Sequence, residues 1–317
     1  EAFAAALEVR TREAWPQMWA TTQVNLGNTY VHRARHGLDT ADLEKARAAY
    51  EAALGVFTRR DSPLNWASAQ NNLGSALQTI GQRTADIDAL RRAVDAFNNA
   101  RRVYRRKEFP LDWAMTHHNA GNTLRLMATV SGEPGHYRGA VTAFRQALAE
   151  YRRESMPMQW ASTMAMMGGA LQGLSYTDET LDSLRQAVEA THAALEVLTV
   201  DNAPVEWATA QNTLGTCLLN LSTRSGDGST LAEALAAFEA SKEVFDRDSQ
   251  PLQWAFAENS IGDVHWNLAV LGGGNAEYAR AIERFESAKQ AFGENGQFGA
   301  VMLSEQKISL IRRAMEE

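Results

Sequence analysis

The chain has 317 residues, 45% hydrophobic and 22% charged, a balance that excludes a disordered polar chain. Its 31 basic and 38 acidic residues leave a formal net charge of −7, which argues against a protein built chiefly to hold nucleic-acid phosphates. Cys217 is the single cysteine, so an internal disulfide and a cysteine metal site are both excluded.

A reducing, cytoplasmic setting is the natural expectation, and no apolar run is long enough to span a bilayer. The chain opens Glu-Ala-Phe, and its first residues read as the interior of a helix. We expect it to be a piece of a longer protein.

In chain order, the first segment, 1–15, aligns with the second helix of the unit that follows: Phe3, Ala6 and Leu7 match Tyr50, Ala53 and Leu54. From Pro16 a pattern of period 47 sets in. Its tryptophan column is Trp19, Trp66, Trp113, Trp160, Trp207 and Trp254, and its glycine column is Gly27, Gly74, Gly121, Gly168, Gly215 and Gly262. Six of the seven prolines stand three residues before the tryptophans. The units are 16–62, 63–109, 110–156, 157–203, 204–250 and 251–297.

Each unit carries two amphipathic patterns. In 63–109, Trp66, Gln70, Leu73, Gly74, Leu77 and Ile80 share one face of a helix A. Pro63 suits its first turn, and Ser62 is a candidate N-cap. After the polar break "GQRTADID", Leu90, Ala93, Val94, Phe97, Ala100 and Tyr104 mark a helix B expected to run to the next Phe-Pro pair. Arg12, Arg59, Arg106, Arg153 and Arg247 then fall near the ends of helix B, where the helix dipole is negative. The tail, 298–317, reads as a degenerate helix A with Val301 in place of tryptophan and Ser309 in place of glycine.

Two columns carry a family resemblance. Helix A holds an apolar-then-small pair such as Leu73-Gly74, followed by a large residue three beyond the glycine, Leu77. Helix B holds alanine, an aromatic four later and a small residue three beyond: Ala93, Phe97, Ala100; Ala140, Phe144, Ala147; Ala234, Phe238, Ser241; Ala281, Phe285, Ala288. The fourth unit departs, with Thr191 at the aromatic position. The pattern resembles the tetratricopeptide repeat over essentially the whole chain, in a unit longer than the family's usual ~34 residues. A helix-interior glycine costs about 1 kcal/mol relative to alanine. Six in one column therefore predict a close approach of helices A and B there, with the tryptophans wedged between units.

The resemblance implies an all-α fold, a right-handed superhelix (α-solenoid) of antiparallel helix pairs with helix A lining its concave side. On that expectation the groove is read from Asn25, Asn28, Asn71, Asn72, Gln78, His118, Asn119, Asn122, Arg125, Asn212, Asn259 and Trp266. Asparagine offers a donor and an acceptor together, suited to the backbone of an extended peptide; the competing reading makes these residues inter-repeat ties. The chaperone-type members grip a carboxylate with basic residues, but here Val24, Met115 and Asn119 stand in those places.

Chemistry is not legible. His32 and His36 have helical metal-pair spacing but no glutamate between them. The loops "SGEPG", "SGDGS" and "LGGGN" lack the strand and lysine of a phosphate cradle. Cys217 has no histidine column beside it, and "RRVYRRK" (101–107) reads as a solvated helix face. We expect no cofactor, no metal and no catalytic constellation. The expected partner is a protein or an extended peptide segment, and a neighbouring effector domain in the full-length chain; no membrane partner is expected, and the charge balance argues against nucleic acid. Arrays worded like this one resemble those attached to bacterial signalling or defence effectors. Self-association through the half units at either end, or service as an enzyme's recognition arm, are the alternatives.

Overall fold

The computed structural model describes residues 2–34, 40–178 and 180–316. Among the described residues all regular structure is helical. The chain divides into two compact units, Glu1–Ser155 and Met156–Glu317, although the 47-residue register of the sequence runs through that boundary without a break.

The first unit holds α1 (Ala2–Val9), α2 (Pro16–Ala34), α3 (Ala41–Leu54), α4 (Pro63–Thr84), α5 (Ile87–Ala100), α6 (Pro110–Ser131) and α7 (Pro134–Leu148). The second holds α8 (Pro157–Ser175), α9 (Asp182–Leu195), α10 (Pro204–Ser225), α11 (Leu231–Ser241), α12 (Pro251–Leu268), α13 (Gly274–Glu294) and α14 (Phe298–Glu316). A wide π-type turn, Ala269–Gly273, joins α12 to α13. Within each unit, consecutive helices pack as antiparallel pairs, and helix A also meets the helix A two elements along, as α2 meets α4 and α10 meets α12.

Five helices A start the same way. Ser62, Phe109, Met156, Ala203 and Gln250 share φ near −137° to −154° and ψ near 59° to 66°. The common cause is the proline that follows, which pushes its predecessor out of helical geometry. Side-chain capping plays no part: Ser62 makes no cap, and its hydroxyl donates to Gln17 Oε1 at 3.2 Å. The expected Ser62 cap is therefore corrected.

Helix B is shorter than its pattern suggested. α5 ends at Ala100, and the chain tightens into a turn in which the Val103 and Tyr104 amides both donate to the Ala100 carbonyl at 3.0 Å. The turn drops a buried apolar side chain behind the helix: Phe57, Tyr104, Tyr151, Leu198 and Phe245 recur at this position, each at most 7% exposed. Tyr104 packs with Ala67, Ala100 and Trp66, so it plugs the gap between helix B and the adjoining helices A.

The shortening also moves the arginine column. Arg12, Arg106 and Arg247 lie beyond helix B, with guanidinium groups 5.5, 5.3 and 5.4 Å from the rings of Trp19, Trp113 and Trp254. They stack on tryptophans, and Arg12 also donates to the Gly55 carbonyl at the C-terminal end of α3 at 3.0 Å. The tryptophans themselves are half-buried, Trp19 and Trp66 packing with Ala53, Phe57 and Ala69 across successive pairs.

The core is a stack of glycine–ring contacts. A Cβ on Gly74 would lie 2.7 Å from the Phe97 ring, one on Gly121 2.9 Å from Phe144, and one on Gly262 2.7 Å from Phe285. Those rings are fully buried, and the alanine column beside them, from Ala46 through Ala281, is closed to solvent. In the fourth repeat Thr191 takes the ring's place against Gly168 and donates back to the Ala187 carbonyl at 2.7 Å.

Candidate functional site

The residues flagged on helix A fall into three groups. The first ties the structure together. Asn28 Oδ1 accepts from the Tyr50 hydroxyl at 2.7 Å and from Asn72 Nδ2 at 3.2 Å, so it joins its own helix B and the next helix A. Asn119 Nδ2 donates to Asn71 Oδ1 at 3.3 Å, and the Thr123 hydroxyl donates to Gln78 Oε1 at 2.7 Å. Asn212 accepts from the Ser241 hydroxyl at 3.1 Å, which binds α10 to α11. Asn259 donates to Asp263, itself paired with Lys307 of α14 at 2.7 Å. These amides spend part of their bonding on one another, as inter-repeat ties would.

The second group is packed inward. Asn71 is 8% exposed. His118 stands edge-on to Phe144, ring centroids 5.9 Å apart, and beside Tyr151. Burial pushes its imidazole down to about 4, and burial together with Arg101 does the same to His117.

The third group is available to a partner. Asn25 is exposed. Arg125 donates to Asn122 Oδ1 at 2.9 Å, but its buried Nε–H finds no acceptor, and burial lowers the guanidinium's pKa. Trp266 meets Phe285 edge-on at 6.4 Å and, with Leu219, Asn220, Thr223, Asp263, Asn267 and Val270, lines a cavity of about 380 Å³ between α10 and α12.

The sequence reading missed Asn220 and Asn267, which stand one residue beyond Leu219 and Trp266. The same column holds His32, Thr79, Leu126 and Gly173 in earlier repeats, so asparagine does not recur there before Asn220. The Asn220 side chain makes no hydrogen bond within the described residues and also faces a second cavity, lined by Ser175, Tyr176, Asp178 and Arg224. Arg224 is a strut there, donating to the carbonyls of Ser175, Asp178 and Thr180.

No group of three or more His, Cys, Asp or Glu able to hold a metal exists among the described residues. His36 lies outside them. Cys217 is buried, and burial pushes its thiol up to about 12. No described helix is long and apolar enough to cross a membrane.

Residues 19–64 match the model of the family described as tetratricopeptide repeat. The glycine–ring contact of that stretch, Gly27 on Tyr50, recurs with Phe97, Phe144, Phe238 and Phe285. Residues 19–64 thus carry the match to the tetratricopeptide-repeat family. Among solved structures, the chain is similar to apo RapI, with TM-score 0.57 and 13% identity over 99% of this chain and 80% of that one; this likeness speaks to the fold. It also matches YrrB, described as a TPR protein with an unusual peptide-binding site, at TM-score 0.48 and 18% identity over 82% and 99% of the two chains. A third match is the TPR2AB domain of yeast Sti1 in complex with an Hsp90 peptide, at TM-score 0.33 and 16% identity over 92% and 98%. No curated protein sequence matches the chain.

Proposed function

We propose that this protein is a non-catalytic binding scaffold that takes an extended protein segment along its helix A face, the concave side of the array. The observation that carries this reading is the α10–α12 cavity. Its Leu219, Trp266 and Val270 offer an apolar socket the size of one large side chain, while the unpartnered Asn220 amide is placed to bond a peptide backbone. A peptide-binding array fits a recognition part within a larger bacterial signalling or defence protein, the action lying in another domain.

The test is peptide display on the wild-type chain, followed by affinity measurement on Trp266→Ala and Asn220→Ala. Both are expected to weaken the selected peptides about tenfold or more, with helical content unchanged by circular dichroism. The Asn220 side chain makes no hydrogen bond among the described residues, so its variant separates recognition from folding. Equal affinity for all three proteins sinks the groove reading.

A further inference from the structure

The basic run 101–107 has a consequence that its helical spacing hides. Helix B stops at Ala100, so Arg102 and Arg105 sit in a turn instead of along a helix. That turn lies against the preceding one, and the two enclose a cavity of about 520 Å³. Arg59, Arg102 and Arg105 line it, with Glu108 as its one acid and an apolar floor of Pro63, Leu64, Val103 and Phe109. All three arginines are exposed, and none of their side chains makes a hydrogen bond or ion pair within the described residues. Leu64 is 49% exposed.

We propose that this cavity is a second recognition site, specific for an acidic protein segment that carries an apolar side chain among its carboxylates. Three guanidinium groups against one carboxylate leave an excess of two positive charges in one recess of a chain whose net charge is −7. Guanidinium forks match carboxylates in pairs. The first residues of α4 add to the field: the helix begins at Pro63, has no side-chain cap, and turns its positive end to the cavity. The apolar floor gives a bound phenylalanine or leucine a surface that a free inorganic anion would not use. A nucleic acid would meet only one such cluster, too little counterion release for useful affinity.

The cluster also belongs to this junction. Arg59 has arginine counterparts in Arg12, Arg106, Arg153 and Arg247. The positions of Arg102 and Arg105 instead become Glu196 and Thr199 in the fourth repeat and Glu243 and Asp246 in the fifth. Stacking therefore does not require arginine at either position, and the pair is spare for recognition. The site sits on the turns between helices, apart from the helix A face, and does not depend on the groove reading.

The test is fluorescence anisotropy of the whole chain with a labelled Glu-Glu-Phe-Glu-Glu peptide flanked by glycines. Binding is expected to weaken at least about tenfold when ionic strength rises from about 0.05 to about 0.5 M. It is expected to weaken at least about tenfold in Arg102→Glu, Arg105→Glu, and about threefold or more when the central Phe of the peptide becomes Ala. Trp266→Ala leaves it unchanged, so a failed groove and a failed turn site give different results. The proposal is overturned if the peptide does not bind, if Gln-Gln-Phe-Gln-Gln binds equally, or if the arginine variant keeps full affinity. It is equally overturned if anionic phospholipid vesicles or a short oligonucleotide bind the chain more tightly than the peptide. The substituted arginine side chains are exposed and unbonded, so folding is not at stake; an unchanged thermal midpoint confirms this.

Discussion

At the residue scale, the glycine column shows how a helix-weakening residue becomes obligatory. Adjacent glycines in α8 separate the two contributions. Gly168 lies under Thr191, and an added Cβ there would collide with its hydroxyl; Gly169 has open space around its Cβ direction. Alanine is a better helix former by about 0.5–1 kcal/mol. Gly169→Ala should therefore raise stability by that amount, and Gly168→Ala should lower it by about 1–3 kcal/mol through overpacking. Urea denaturation of the two variants decides the point, and equal shifts would remove the close-packing account. Histidines 117 and 118 give a pH prediction at the same scale. Both have folded-state pKa values lowered from 6.5 to about 4, so the unfolded chain binds more protons between those values. Stability is full above pH 6.5 and falls as the pH drops toward 4. His117→Gln with His118→Asn, which copies Gln70 and Asn71 of the preceding repeat, should flatten the thermal midpoint across that window.

At the element scale, helix ends decide more than helix faces. α6 and α10 stop on glycines with left-handed backbone, Gly132 at φ 72° and Gly226 at φ 73°. The equivalent residue after α4 is Ala85 at φ 53°, the one positive-φ residue other than glycine among those described. A left-handed alanine costs about 1–2 kcal/mol, part of which glycine returns as unfolded-state entropy. Ala85→Gly is expected to stabilise the chain by about 0.5–1 kcal/mol in chemical denaturation, and a loss of stability would count against the strain argument. The buried carboxylate of Glu258 on α12, 2% exposed, is held between Lys242 after α11 and Arg284 of α13. The equivalent positions of the second and third repeats also make a polar contact, Arg101 with His117. The early stop of helix B was not legible in the amphipathic pattern. Tyr104 continues the apolar period, and a turn that buries it leaves the same spacing as one more helical turn.

At the scale of the whole molecule, stability within each unit is a sum over neighbouring helices, because consecutive helices pack together and helices A also meet the helix A two along. Leu77 is 2% exposed in the core around Phe97, and Leu77→Ala should cost about 2–5 kcal/mol. Its effect should stay local: hydrogen exchange is expected to speed up across α3 to α6, with α10 to α13 unchanged. Uniform acceleration along the chain would show a longer-range cooperativity than the packing supports. The period of 47 and the Gly, Ala and aromatic columns were enough by themselves to determine an all-α array of helix pairs. Each such column answers to one contact repeated many times, and a repeated contact leaves a repeated letter. Tertiary structure alone decided where helix B stops, which asparagines are spent on neighbouring repeats, and that Arg59, Arg102 and Arg105 face one cavity. Those outcomes depend on side chains from different repeats meeting in space, and a meeting that happens once leaves no period in the sequence.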